Sequence, residues 1–251
     1  MTPFRNTDDE RPLTARSVLL STLLGAHPPS LPVRVLVRSG ELFGIAEGTV
    51  RVALSRMLAA GEVEQEDGRY RLAGRLLERQ ARQDESRRPA VRRWRGSWVT
   101  AVVTAEGRTA SGRVALRSLM RDLRMGELRE GVWLRPDNLR LVRPADGQCT
   151  WLASRPEGDP AELAARLWDL GAWAARAEVL RERMRRLRIE RPDDLAPGFV
   201  LSAAVLRHFQ ADPLLPDELL PVDWPGAALR QEFEAFDAAF LAAWRSFMQR
   251  G

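Results

Sequence analysis

Asp67-Gly68 stands between two short runs, Glu62-Val-Glu-Gln-Glu66 and Arg69-Tyr-Arg-Leu72, and this dipeptide is a strong local signal for a tight hairpin reversal. Three short segments with helical apolar spacing precede it. That order, three helices and then a hairpin, confines residues 14–74 to a winged helix-turn-helix. The first helix is predicted over residues 14–24, with Thr14 as its cap and Val18, Leu19, Leu23 and Leu24 as its buried stripe. Gly25 and Pro28-Pro29 end it. The second is predicted over residues 32–39, opening on Pro32 and closing at Gly40, and the third over residues 46–60, closed by Gly61.

The third helix carries the functional argument. At about 100 degrees per residue, Val50, Ala53, Leu54, Met57 and Leu58 gather on one side. Gly48, Val52, Ser55, Arg56 and Ala59 fall opposite, with Thr49 and Arg51 on the flanks. Small outward residues let a helix approach base edges closely, while Arg and Ser supply donors to phosphate and base. An ordinary amphipathic helix with a solvated arginine face has the same spacing; the attached hairpin favours DNA. In that hairpin Val63, Tyr70 and Leu72 return apolar contacts to the helices, and Arg69 and Arg71 are placed for phosphate or the minor groove. Glu62, Glu64, Glu66 and Asp67 repel DNA, so contact is expected at the returning strand and not at the tip. The candidate DNA-binding residues are Arg16, Thr49, Arg51, Val52, Ser55, Arg56, Arg69 and Arg71.

Composition agrees with an anionic partner. The 251 residues carry a net charge of +5, and all 39 basic residues are arginine. One cysteine, Cys149, excludes an internal disulfide and a cysteine-rich metal site, and the two histidines, His27 and His208, form no metal or triad pattern. No run reaches the roughly 18 apolar residues of a membrane span, and the polar N-terminus lacks a leader's apolar stretch. A cytoplasmic protein with a disordered arm over residues 1–13, no membrane partner, no metal and no catalytic residue is expected. The acidic pairs Asp193-Asp194, Asp217-Glu218 and Glu232/Glu234 are read as helix-start acids.

Downstream, strands are predicted over residues 97–104 and 127–134, with further strand over 139–143 and 150–154. Helices are predicted over residues 111–124 and 160–170. This rhythm suits an α+β sandwich. Residues 75–95 read as an arginine-rich linker. Its end, Arg87-Arg-Pro-Ala-Val-Arg-Arg-Trp-Arg95, is either a solvated connector or a backbone-tracking patch, whose five arginines would give a salt slope of about −4.5. The run Arg181-Glu-Arg-Met-Arg-Arg-Leu-Arg-Ile-Glu-Arg191 continues a helix whose Leu180, Met184 and Leu187 face inward, its charges forming a solvated face.

Several runs resemble one known family. Thr14-Ala-Arg-Ser17, the stretch Gly44-Ile-Ala-Glu-Gly-Thr-Val-Arg-Val-Ala-Leu-Ser-Arg-Met-Leu58 and the hairpin end Gly68-Arg-Tyr-Arg-Leu72 are similar to the PaaX family of bacterial repressors, named for phenylacetic acid degradation. So are Leu167-Trp-Asp-Leu170 and the proline-punctuated Asp212-Pro-Leu-Leu-Pro-Asp-Glu-Leu-Leu-Pro-Val-Asp-Trp-Pro-Gly226. The resemblance implies an α+β protein with an N-terminal winged helix-turn-helix over residues 14–74, a ferredoxin-like middle domain over 96–178 and a helical C-terminal domain over 179–251. It further implies a homodimeric repressor on a double-stranded DNA operator, released by a small acyl-type effector; the founding members respond to phenylacetyl-coenzyme A. The chain departs at Ala46, where relatives often carry a capping Ser worth about 1 kcal/mol, and at Leu206-Arg-His-Phe-Gln-Ala211, which replaces a basic and aromatic string.

For an anionic aryl thioester effector, Trp168, Trp173 and Arg176 are the candidate contacts, in a cleft lined by an aromatic wall. The two tryptophans lie about 140 degrees apart on one predicted helix, and core packing accounts for them as well. Two other functions stay open. The middle domain resembles the small CRISPR-associated endonuclease fold, but the first strand ends Val102-Val-Thr-Ala-Glu-Gly107, with no aspartate where that chemistry places one for its metal, and Glu106 substitutes for it only by a stretch. The other is an interaction module that uses the winged helix for dimerisation and binds no DNA.

Overall fold

The computed structural model describes residues 13–105, 107, 109–144 and 147–249. The expected arm over residues 1–13 therefore lies outside the described residues except for Leu13, and so does Glu106.

Helix α1 (Ala15–Leu24) starts on Thr14, whose hydroxyl accepts from the Ser17 amide, and buries Val18, Leu19, Leu23 and Leu24. A three-residue strand, β1 (Ser30–Pro32), follows, and α2 (Val33–Glu41) begins where the second helix was expected to have its first turn. The strand escaped sequence reading because it is short and ends on a proline; proline is tolerated because β1 is an edge strand. Gly40 does not end α2 but lies inside it. Helix α3 (Glu47–Ala59) and the hairpin of β2 (Val63–Glu66) and β3 (Arg69–Leu72) complete the lobe. The sheet order is β1-β3-β2, with Leu31 and Gln65 flanking Tyr70. Asp67 and Gly68 hold φ of 48° and 71°, as a type I′ reversal requires.

Residues 75–87 are not linker. They form α4 (Arg75–Arg87), which buries Gln80, Gln83 and Ser86 instead of an apolar stripe. Gln80 Nε2 donates to the carbonyls of Leu24 and Ala26, both at 2.9 Å, satisfying the end of α1. A helix docked through glutamine shows no hydrophobic period, which is why the sequence read as polar connector.

The middle region contains β4 (Trp98–Val103), α5 (Ala110–Asp122), β5 (Gly126–Arg129), β6 (Val132–Pro136), β7 (Cys149–Ser154) and α6 (Pro160–Leu167). All neighbours in the order β5-β6-β4-β7 are antiparallel, which is the ferredoxin-like arrangement. Its second helix, however, follows the fourth strand and does not precede it. The single strand expected over residues 127–134 is two strands, turning where Gly131 holds φ of 80°. No strand forms over residues 139–143. One sheet face packs Val99, Ala101, Trp133 and Trp151 with Leu116 and Met120 of α5; Trp98, Leu134 and Val132 cluster with Ala164 of α6, Leu215 and Leu219.

The helix expected over residues 160–170 breaks at Trp168, whose backbone is extended at φ −133° and ψ 139°. Asp169 Oδ1 accepts from the Ala172 amide at 2.9 Å and so starts a new helix, α7 (Leu170–Arg186). Helices α8 (Leu195–Gln210) and α9 (Gly226–Gln249) follow. By packing, the chain divides into two compact units: residues up to 87 with 179–207 and from 229, and residues 88–178 with 208–228. The winged helix and most of α8 and α9 thus share one unit.

In the second unit, the string Asp212–Pro216 is held by the buried Asp212 and Asn138 and the half-buried Arg124. Asp212 Oδ1 accepts from the Leu214 amide at 2.8 Å, Arg124 donates to the Asp212 carbonyl, and Asn138 Nδ2 donates to the Leu214 carbonyl at 2.8 Å. Leu214 adopts φ of 51° within it.

Candidate nucleic-acid interface

Helix α3 presents its outer face to solvent. Gly48, Thr49, Arg51, Val52, Ser55, Arg56 and Ala59 are exposed, while Val50, Leu54 and Met57 are buried and Ala53 is half-buried. Leu58, expected inward, is 41% exposed, although its neighbour Met57 is buried in the lobe's core. Val52 is 51% exposed and is an apolar group of the kind that meets a thymine methyl. Ala46 makes no side-chain cap, as its side chain dictates, so the first turn depends on Glu47 and on packing.

Three of the five candidate arginines pair with carboxylates of their own chain. Arg51 meets Glu47 one turn earlier, at 2.7 Å from Nε. Arg71 crosses the hairpin to Glu64, its register partner. Arg16 reaches Glu62 with two bonds, one of 3.0 Å from Nε. The bond from Glu62 raises the pKa of the Arg16 guanidinium, and the same bond holds the Glu62 carboxyl below the usual carboxylate range. Glu64 likewise raises the pKa of Arg71. Arg69 donates to the Ser30 hydroxyl at 3.1 Å and the Ser30 carbonyl at 2.7 Å, which fixes it across β1. Arg56 makes no ion pair among the described residues.

The pair on α3 is open to solvent. Arg51 and Glu47 remain 59% and 54% exposed, and an exposed pair one helical turn apart is worth only about 0.3–0.5 kcal/mol. A phosphate that releases counterions competes easily with that. Arg34, which the sequence reading did not single out, is exposed on the first turn of α2. Next to it the Val33 amide donates to the Gly68 carbonyl at 3.1 Å, which places Arg34 beside the hairpin tip.

The arginine-rich segment is unevenly available. Arg87 is bonded to Asp237 at 2.8 Å and sits over the Phe233 ring, and Arg92 is bonded to Asp137 at 3.0 Å. The Arg87 pair is largely buried, whereas the Arg92 pair is about as exposed as that of Arg51. Arg181 and Arg185 both donate to Glu232 Oε1; burial pushes that carboxyl up, but the two arginines together hold it below the usual range.

Two of the effector candidates are linked through Trp224, which packs at the cluster that holds Trp168 and stacks on Trp173. Trp168 packs at the cluster around Trp98, whereas Trp173 is buried between two rings, His208 at 4.3 Å and Trp224 at 4.4 Å, both nearly parallel. Arg176 is half-buried on α7. The partners of Trp173 come from remote sequence and gave no signal in it. Among the described residues no group of His, Cys, Asp and Glu is placed to hold a metal.

A model of the PaaX-like protein family matches residues 14–76, and a model of the PaaX-like protein C-terminal domain matches residues 168–250. A solved structure described as an uncharacterized protein, Rv0674, from Mycobacterium tuberculosis is 46% identical, covering 93% of this chain and 98% of that chain with a TM-score of 0.75. The chain belongs to the PaaX-like family. Its members are generally transcriptional regulators, and the two matched segments contain the winged helix and the proline-punctuated string. No curated protein matches it. No described helix of this PaaX-like chain is long and apolar enough to cross a membrane.

Proposed function

We propose that this PaaX-like chain is a cytoplasmic, homodimeric transcriptional repressor that binds operator DNA through α3 and the returning wing strand and is released by a small acyl-type effector, such as an acyl-coenzyme A. The observation that carries the reading is the outer face of α3. It is small, polar and exposed, and it is bordered by Arg51 and Arg56. Thr49, Ser55 and the two arginines supply donors to bases and phosphates, Val52 an apolar contact, and Arg16, Arg69 and Arg71 backbone contacts. Two-fold pairing suits a symmetric operator. Release requires only about 1–3 kcal/mol of coupling between the effector site and the DNA site. Trp168, Trp173 and Arg176 remain the proposed effector contacts, and with both faces of Trp173 occupied, an aryl group reaching it must displace His208 or Trp224.

The test is a mobility shift on the DNA upstream of the chain's own gene at moderate salt, repeated with a panel of acyl-coenzyme A thioesters. A sequence-specific shift reversed by one thioester is expected. Absence of any sequence-specific shift overturns the reading.

A further inference from the structure

The turn that aims α3 is gripped from outside the winged helix. Between α2 and α3 the chain makes short backbone bonds, Phe43 N to Gly40 O at 2.9 Å and Ile45 N to Gly40 O at 3.0 Å, with Gly44 at φ 69°. Leu42 and Phe43 point away from the lobe's own core and join a different cluster built from Leu195, Phe199 and Phe240, with Ile189, Trp244 and Phe247 packed around it. Phe43 meets Phe199 edge-on at 5.2 Å, Phe199 stacks with Trp244 at 5.9 Å, and Phe240 lies 5.6 Å from Trp244. From α2, the Arg38 guanidinium lies 4.4 Å over the Phe247 ring. Close approach is built in at Gly198, where a Cβ would come within 2.7 Å of Ile189 Cδ1 and 3.0 Å of Phe240.

We propose that Phe43, Phe199 and Trp244 form an aromatic clasp through which α8 and α9 set the orientation of α3, making them positioning residues for DNA binding that touch no DNA. This rests on the reading of α3 as the DNA-contacting helix. The physical need is plain. Ala46 gives α3 no side-chain cap, and glycines at positions 40 and 44 leave the turn few side chains with which to pack against its own lobe. Without the clasp the turn has more conformations to lose on binding, and ordering it then costs affinity. The C-terminal helices are on this account part of the DNA-binding unit, and any shift of α8 or α9 is felt at α3.

The experiment compares the full chain with Trp244→Ala, Trp244→Phe, Phe43→Leu and Arg56→Ala. It reads binding to a duplex of the DNA upstream of the chain's own gene, and amide hydrogen exchange at residues 18–24 and 45–50. Trp244→Ala is expected to bind about tenfold more weakly, the scale of a lost aromatic pair, and to exchange faster at residues 45–50 but not at 18–24. Trp244→Phe restores most of the affinity. If Trp244→Ala keeps α1 protected, binds like the parent and exchanges like it at residues 45–50, the clasp is refuted. Should Trp244→Ala unfold α1 as well, Phe43→Leu is judged by the same two readouts. If Arg56→Ala binds as tightly as the parent, the DNA reading of α3 fails, and exchange at residues 45–50 still decides the clasp.

Discussion

Gly40 on α2 faces Val50 on α3 so closely that a Cβ on Gly40 would stand 2.5 Å from Val50 Cγ2. The crossing of the two helices is therefore set by the absence of one side chain. Gly40→Ala is expected to destabilise the protein by about 1–3 kcal/mol in urea melts, the usual cost of overpacking. Trimming Val50 to Ala in the same chain should recover part of that loss. Strictly additive effects would mean that the two positions do not oppose each other.

Arg51 and Arg56 test the DNA surface directly. Both are exposed, so replacing both by Ala should change stability by less than about 0.5 kcal/mol. If each contacts a phosphate, the slope of log affinity against log salt becomes shallower by about 1.8, at roughly 0.9 per phosphate. A salt series by fluorescence anisotropy measures this, and an unchanged slope contradicts phosphate contact by either residue.

If Arg71 contacts DNA, its partner Glu64 competes for it and adds repulsion of its own. Glu64→Gln removes both effects while preserving side-chain shape, so tighter DNA binding is expected, by a few-fold at low salt and less at high salt as screening grows. Unchanged binding would place the acidic strand away from DNA altogether.

Glu62 makes stability depend on pH. Arg16 holds its folded carboxyl below the ordinary value of 4.5, so the pair's contribution is present above that value and lost as pH falls from it through the lower folded value. With Arg16 about half exposed, solvent screening limits it to about 1 kcal/mol or less. The stability gap between the parent and Glu62→Gln should close on titration from pH 6 to below about 4. A gap that persists in acid would trace to shape and not to charge.

Legibility in the sequence followed the physics of each element. The wing was legible because Asp67-Gly68 is a local solution to a local problem, and α1 because Thr14 caps a clean apolar stripe. Helix α4 was not, because its docking runs through Gln80 and the carbonyls of Leu24 and Ala26, and polar docking leaves no hydrophobic period. The break at Trp168 depends on Asp169 starting a second helix, a choice between two caps that spacing alone does not make. In the candidate interface, the exposure of Thr49, Arg51, Ser55 and Arg56 followed from helical geometry. The carboxylate partner of Arg16 did not, since 46 residues separate Arg16 from Glu62 and only the folded lobe brings them together.

Arg135 is fully buried on β6, with carbonyls and one amide as its hydrogen-bond partners. Nε donates to the Pro136 carbonyl at 3.1 Å, Nη1 to the Leu123 carbonyl at 3.2 Å, and Nη2 to Asn138 Oδ1 at 2.9 Å, and Asn138 in turn holds the Leu214 carbonyl. Burial pulls its pKa down to about 9. Arg135→Met keeps the volume but strands these acceptors, so a loss of about 2–4 kcal/mol is expected in denaturant melts. The sign with pH is fixed by linkage. A guanidinium whose folded pKa is lowered releases its proton earlier in the native state, so the parent gains stability relative to Arg135→Met as pH rises through about 9. A gap that stays constant between pH 8 and 10 would show that the native site holds its proton as tightly as the unfolded chain does.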